Sequence, residues 1–169
     1  MRRFALLAIL LCLSVPSVSA AQVRLMGGVG VSNPMSDLKD VADVGWHAMA
    51  GLQLSIAALP VGLRADGMYH SFGERGASPT PSVLSGALSL VVTLPGVGLS
   101  PYVLGGLGTY RTSTDGGTDA QSDSGIHGAF GVDIGALSFG GFAEVRLVNV
   151  NTEGSGNVRF VTATLGFRL

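Results

Sequence analysis

The sequence predicts an all-β fold, an eight-stranded antiparallel up-and-down transmembrane β-barrel, and three observations predict it. Charged residues make up only 12% of the 169 residues, about half the roughly 25% usual in soluble domains, so much of the surface faces something other than water. No helix can supply that surface. The 26 glycines and 7 prolines interrupt the apolar runs, and the best spanning-helix candidate, Val83 to Leu99, carries Ser85, Gly86 and Ser89 and is broken by Pro95 and Gly96. Finally, apolar residues recur at every second position in segment after segment, with short and long connections in alternation. That is the pattern of strands with two unlike faces, and in hydrocarbon such strands satisfy their backbone only by closing into a barrel.

The chain opens on MRRFALLAILLCLSVPSVSA, with two arginines, an apolar run from Phe4 to Leu13 and small residues at Val18, Ser19 and Ala20. This reads as a secretory signal, residues 1–20, removed on export. Cys12, the single cysteine, lies inside it behind Leu11, where a lipid-anchor site would want a small residue. Residues 21–169 then form one barrel domain without thiol chemistry. Losing Arg2 and Arg3 takes 10 basic residues to 8 against 11 acidic, a net charge of −3, which speaks against a nucleic-acid partner.

The first segment sets Val23, Leu25, Gly27, Val29 and Val31 against Arg24, Met26, Gly28 and Gly30, and a long polar connection, SNPMSDLKDVAD, follows. The second sets Trp46, Ala48, Ala50, Leu52, Leu54 and Ile56 against His47, Met49, Gly51, Gln53 and Ser55, ending at a tight turn near Pro60. The third opposes Leu63, Ala65, Gly67 and Tyr69 to Arg64, Asp66, Met68 and His70; the fourth opposes Leu84, Gly86, Leu88 and Leu90 to Ser85, Ala87, Ser89 and Val91. After PGVG comes PYVLGGLGTYR, residues 101–111, whose two faces are both apolar enough to meet lipid and stay unassigned. The sixth segment puts Ile126, Gly128, Phe130, Val132 and Ile134 against His127, Ala129, Gly131 and Asp133. Past a turn near Ser138, the seventh puts Ala143, Val145 and Leu147 against Phe142, Glu144, Arg146 and Val148. The eighth alternates Val161, Ala163, Leu165, Phe167 and Leu169 with Phe160, Thr162, Thr164, Gly166 and Arg168.

Charges within strands share a face with small residues, while bulky aliphatics share the other. A soluble lipocalin-like ligand-binding barrel would show the reverse, so the charged face is predicted to line the lumen. Arg24, Arg64, Asp66, Asp133, Glu144, Arg146 and Arg168 are then a lumen charge network in the half nearer the short turns, a salt-bridged plug rather than a catalytic carboxylate pair. His47, His70 and His127 are expected to point inward near the opposite rim, with His47 and His70 as neighbours. A zinc site there would lack a third ligand, and hydrogen bonding in a wet lumen is the expectation. The long connections hold eight acids, Asp37, Asp40, Asp43, Glu74, Asp115, Asp119, Asp123 and Glu153, against Lys39 and Arg75, without calcium-loop spacing.

The last strand, apolar at alternate positions up to Leu169, resembles the closing strand and assembly signal of bacterial outer-membrane β-barrels. That family usually ends in Phe or Trp, whereas here Phe167 stands two residues before Leu169. From Gln22 to Leu169 the chain is similar to the small OmpA/OmpX-type barrels. The resemblance implies export to the outer membrane of a Gram-negative-type bacterium, contact with outer-membrane lipid and lipopolysaccharide, and recognition of Leu165, Phe167 and Leu169 by the barrel assembly machinery. It further implies a monomer with a structural or surface-interaction role, no open pore, and neither cofactor nor catalytic residues. A narrow channel for small solutes and a lipid A-modifying enzyme are the alternatives the family offers. One deacylase group carries a His-x-Ser pair on its lipid-facing surface; here His70 and Ser71 are adjacent and face opposite sides of the wall.

Overall fold

A computed structural model of the protein describes residues 21–40, 42–56, 59–74, 81–114, 121–135, 140–151 and 157–169. The expected signal at 1–20, the turn at Ser138, and the connection charges Arg75, Asp115, Asp119 and Glu153 lie outside the described residues. The eight strands are β1 (Ala21–Ser36), β2 (Ala42–Ile56), β3 (Val61–Glu74), β4 (Pro81–Thr93), β5 (Leu99–Thr114), β6 (Gln121–Ile134), β7 (Gly140–Asn151) and β8 (Asn157–Arg168), with one 3-10 turn at Asp37–Asp40. Each pairs with the next in antiparallel register, and β8 pairs with β1 to close the barrel. The seam is bonded through to Leu169: its N–H donates to the Leu25 carbonyl at 2.9 Å, and the Leu25 N–H returns the bond at 3.0 Å.

The wall is inside out relative to a soluble protein. Val23, Leu88 and Leu165 are 65%, 64% and 69% exposed, whereas His47, Arg64 and Phe160 are fully buried. An outward aliphatic band of this kind suits hydrocarbon and not water. Trp46 and Tyr69 pair on the outer face with ring centroids 5.8 Å apart, placed as an interfacial aromatic belt would be.

Strand β5 takes the face left open above. Tyr102, Leu104 and Tyr110 point in, and Val103 and Leu107 point out. Tyr102 sits opposite Gly131 in register, and a Cβ on Gly131 would run into the Tyr102 ring. Size complementarity between neighbouring strands therefore decides a face that hydropathy leaves ambiguous.

At the end away from the short turns, the strands run further than their hydrophobic pattern. The stretch read as a long first connection is mostly strand: Ser32 to Ser36 pair with Thr162 to Val158 of β8, and β2 resumes at Ala42. Thr112 to Thr114 likewise extend β5. Backbone pairing holds these residues in the sheet, since a partner strand satisfies the N–H groups they have and their C=O groups whatever the side chains. Strands of 12 to 16 residues exceed the roughly 9 to 11 that cross the hydrocarbon, so the wall continues beyond it.

Candidate functional site in the lumen

From the short-turn end upward, the first lumen pair is Arg168 and Asp133, joined through Arg168 Nη1 and Asp133 Oδ2. The next layer crosses the barrel. Arg64 and Asp66 stand on β3, Glu144 and Arg146 on β7, and in a closed ring of eight strands these two walls are opposite each other. Arg64 Nη1 donates to Glu144 Oε2 at 2.5 Å, while its Nε and Nη2 donate to Gln53 Oε1 at 3.2 and 3.1 Å. Arg146 grips Asp66 with both terminal nitrogens, at 2.7 and 3.3 Å. It also reaches Glu144 Oε1 at 2.9 Å. The Tyr102 hydroxyl donates to Glu144 Oε2 at 2.8 Å. Each oxygen of Glu144 thus has at least one donor, which a buried carboxylate requires if it is to stay ionised.

Asp133 and Glu144, considered above as a carboxylate pair, are held by different arginines. Arg24 stands apart from these bridges: it is half-buried and donates to Gln22 Oε1 at 3.2 Å. Arg146, midway along β7, marks the upper edge of the network. Met26, Met49, Met68 and Phe142 pack as one buried cluster in the lumen, and Arg146 Nη1 lies 3.8 Å from Met68 Sδ.

Above lie the histidines, deeper than the rim position read from the sequence, because the strands continue past them. His47 and His70 are register partners with ring centroids 5.4 Å apart. Ser32 Oγ bridges them, 3.1 Å from His47 Nδ1 and 2.9 Å from His70 Nδ1, and His47 Nε2 meets Thr164 Oγ1 at 2.9 Å. A hydroxyl has one proton, so Ser32 donates to one ring and accepts from the other. With both rings neutral, donation to His47 lets His47 Nε2–H donate to Thr164 and leaves only a bare acceptor on His70 Nε2, the atom without a partner.

His127 stands on the other side of the lumen with Ser89 Oγ 2.7 Å from its Nε2 and the Tyr110 hydroxyl 3.4 Å from its Nδ1. Serine and imidazole at that distance are the parts of a nucleophile and its base, yet both are buried, and among the described residues the other ring nitrogen meets a tyrosine hydroxyl rather than a carboxylate. No group of three His, Cys, Asp or Glu side chains that could hold a metal ion occurs among the described residues.

The expectation of a wet lumen around the histidines does not hold. Leu38, Ala42, Phe72, Val83, Tyr110, Val148, Val150 and Phe160 form a buried apolar cap above them. The Phe160 ring meets the His70 ring edge-on at 5.0 Å and the Phe72 ring at 5.7 Å. Sequence reasoning missed this cap because Phe72, Val148 and Phe160 fall where segments were read as ending or as mixed. Their period-two continuity with His70, Arg146 and Thr162 was the available signal. Ser32, Gln53, Ser89, Tyr102 and Thr164, the uncharged partners, carry no signature of their own in the sequence.

No protein-family model matches the chain, and no curated protein is similar enough to count as a match. Solved structures do match. Neisserial surface protein A aligns at 17% identity over 88% of this chain and 97% of that one, with a TM-score of 0.77. The N-terminal β-barrel domain of Pseudomonas aeruginosa OprF aligns at 14% identity over 87% and 97%, TM-score 0.54. The attachment invasion locus protein Ail of Yersinia pestis aligns at 13% identity over 89% and 99%, TM-score 0.57. At these identities the likeness is one of fold, and the fold is that of the small eight-stranded outer-membrane β-barrels of the OmpA/OmpX type.

Proposed function

We propose that this chain is a non-enzymatic outer-membrane barrel without an open pore, serving to brace the envelope or to present a surface for interaction. The observation that carries the reading is the doubly filled lumen: an ion-paired layer spans β3 to β7, and a separate apolar cap fills the other end. An ion entering would have to break buried charge pairs and then cross an apolar layer, and both steps are costly in a low-dielectric interior. The sharing of this fold with a surface protein and an attachment protein supports the surface role. Lipid and lipopolysaccharide around the aliphatic band, a monomeric state, and handling of Leu165, Phe167 and Leu169 by the assembly machinery belong to the same proposal. All three of those residues point outward, where another protein could read them during insertion.

The test is conductance in planar bilayers. The native chain is expected to give no stable step that scales with salt concentration. Large, persistent currents would instead favour the narrow-channel reading. Heat-dependent gel mobility on the same preparation confirms that the sample measured is a closed barrel.

A further inference from the structure

The lumen charges balance down to one side chain. Arg64 and Arg146 are met by Glu144 and Asp66, and Arg168 by Asp133; Arg24 is the inward arginine outside these pairs. Arg24 does not face open wall. With Arg168, Asp133, Gln53, Ser55 and Ser100 it lines a cavity of about 330 Å³ at the short-turn mouth. The charged groups of that lining, two arginines against one aspartate, sum to one positive charge.

Arg168 is 4% exposed, and its Nε and Nη2 find no acceptor among the described residues. Its guanidinium carbon stands 5.1 Å from the Tyr102 ring centre and 5.3 Å from that of Phe142, so the fork lies against two aromatic rings with one nitrogen committed to Asp133. Two free N–H groups on a buried, always-charged fork form a half-made binding site. Their geometry suits an oxyanion, which accepts two parallel bonds from a guanidinium.

We infer that this mouth binds a small oxyanion, a phosphate or carboxylate group, between Arg168 and Arg24. The cavity holds the volume of roughly ten waters at about 30 Å³ each, enough for such a group and part of its hydration. Arg168 is part of the cavity lining, and its two unpartnered nitrogens are buried, so a ligand reaches them when the guanidinium turns toward the cavity. The Ser55 hydroxyl, which accepts from Gln53 Nε2 at 3.3 Å, keeps its own proton to donate to a remaining oxygen. The anion arrives either as a free solute or as the headgroup of a lipid in the adjoining leaflet.

The experiment follows the arginine Nε–H signals of the full barrel by NMR. One arm titrates inorganic phosphate, then acetate, into protein in maltoside micelles, which carry no phosphate. A second places the protein in phosphatidylglycerol nanodiscs without added anion. Saturable shifts of Arg24 and Arg168 in the first arm, at least tenfold weaker in Arg24→Gln, support a site for free oxyanions. Shifts in the nanodisc arm alone support the same site with the headgroup as ligand. No response of Arg168 in either arm of the wild-type protein overturns the inference, and so does an equal response in Arg24→Gln. The wild-type titrations use the unaltered chain, so a missing Arg168 response overturns the inference however the variant folds; heat-dependent gel mobility shows that Arg24→Gln is a closed barrel before it is compared, and Arg24→Lys, which keeps the charge and loses the fork, should fall between.

Discussion

In the half of the lumen nearer the short turns, Arg64 reaches Glu144 and Arg146 reaches Asp66 and Glu144, tying two opposite walls together. In the other half the same cylinder is filled by Phe72, Val83, Tyr110, Val148 and Phe160 over a pair of histidines. Both fillings exclude water, but they respond differently to change. An ion-paired layer is close to all-or-none, since each group is present at tolerable cost only because its partner is. An apolar layer tolerates substitutions that conserve volume and loses stability in proportion to what is removed. The barrel therefore has one end whose register is fixed by charge and one whose seal is set by packing.

The largest expected effect lies in the ion-paired half. Glu144→Ala leaves Arg64 and Arg146 facing one remaining carboxylate, Asp66, and should destabilise the barrel by about 3–5 kcal/mol. Even the isosteric Glu144→Gln should cost several kcal/mol, because it removes the charge while keeping the shape. Replacing Arg64 and Glu144 together by Met and Leu leaves Arg146 and Asp66 balanced and should restore most of the loss. Urea unfolding of the detergent-solubilised barrel measures all three. If the double variant were no more stable than Glu144→Ala, the cross-lumen pairing would not be the source of the cost.

The apolar half should behave in the opposite way. Phe160 is fully buried and makes edge contacts with His70, Phe72 and Tyr110, so Phe160→Ala should cost about 3–5 kcal/mol as a cavity. Phe160→Leu should cost less than about 1.5 kcal/mol. The contrast with Glu144→Gln is the informative quantity: a change of apolar shape is tolerated at one end, while a shape-preserving loss of charge is not tolerated at the other. Similar losses for Phe160→Leu and Phe160→Ala would mean that the cap depends on specific ring geometry.

The parts of this plan that were legible in the sequence are those written in period two. Strand number, the inward charges and the outward aliphatics all follow from alternation, because each strand divides membrane from lumen at every residue. The rest depends on neighbours that the chain brings together from far apart. Whether Tyr102 points inward is decided by Gly131 on the next strand, and the choice of Arg64 rather than Arg168 for Glu144 is decided by which wall lies opposite. The outer ends of the strands are hidden in the sequence because Ser32, Asn33, Ser36 and Thr112 to Thr114 are polar and Pro34 interrupts the run, and pairing with β8 and with β4 keeps them in the sheet.

Between the two halves, Ser32 offers the smallest and most discriminating test. Its hydroxyl is the side-chain partner of His70 Nδ1 and one of the partners of the His47 ring, and it is fully buried. Ser32→Ala removes one oxygen and creates little cavity, so a packing-dominated layer would hardly register it. If the histidines instead belong with the polar half, two buried ring nitrogens lose their partner and the barrel should be destabilised by about 1–3 kcal/mol. The imidazole ¹⁵N spectrum separates the two cases. In the native chain His47 is expected as the tautomer protonated at Nε2 and His70 as the one protonated at Nδ1, each set by its bond to Ser32. In Ser32→Ala the His70 proton is expected to redistribute between its two nitrogens, while Thr164 continues to hold His47. An unchanged His70 tautomer together with an unchanged urea midpoint would place the histidines with the apolar cap, and the boundary between the two halves would then lie below them, at Arg146.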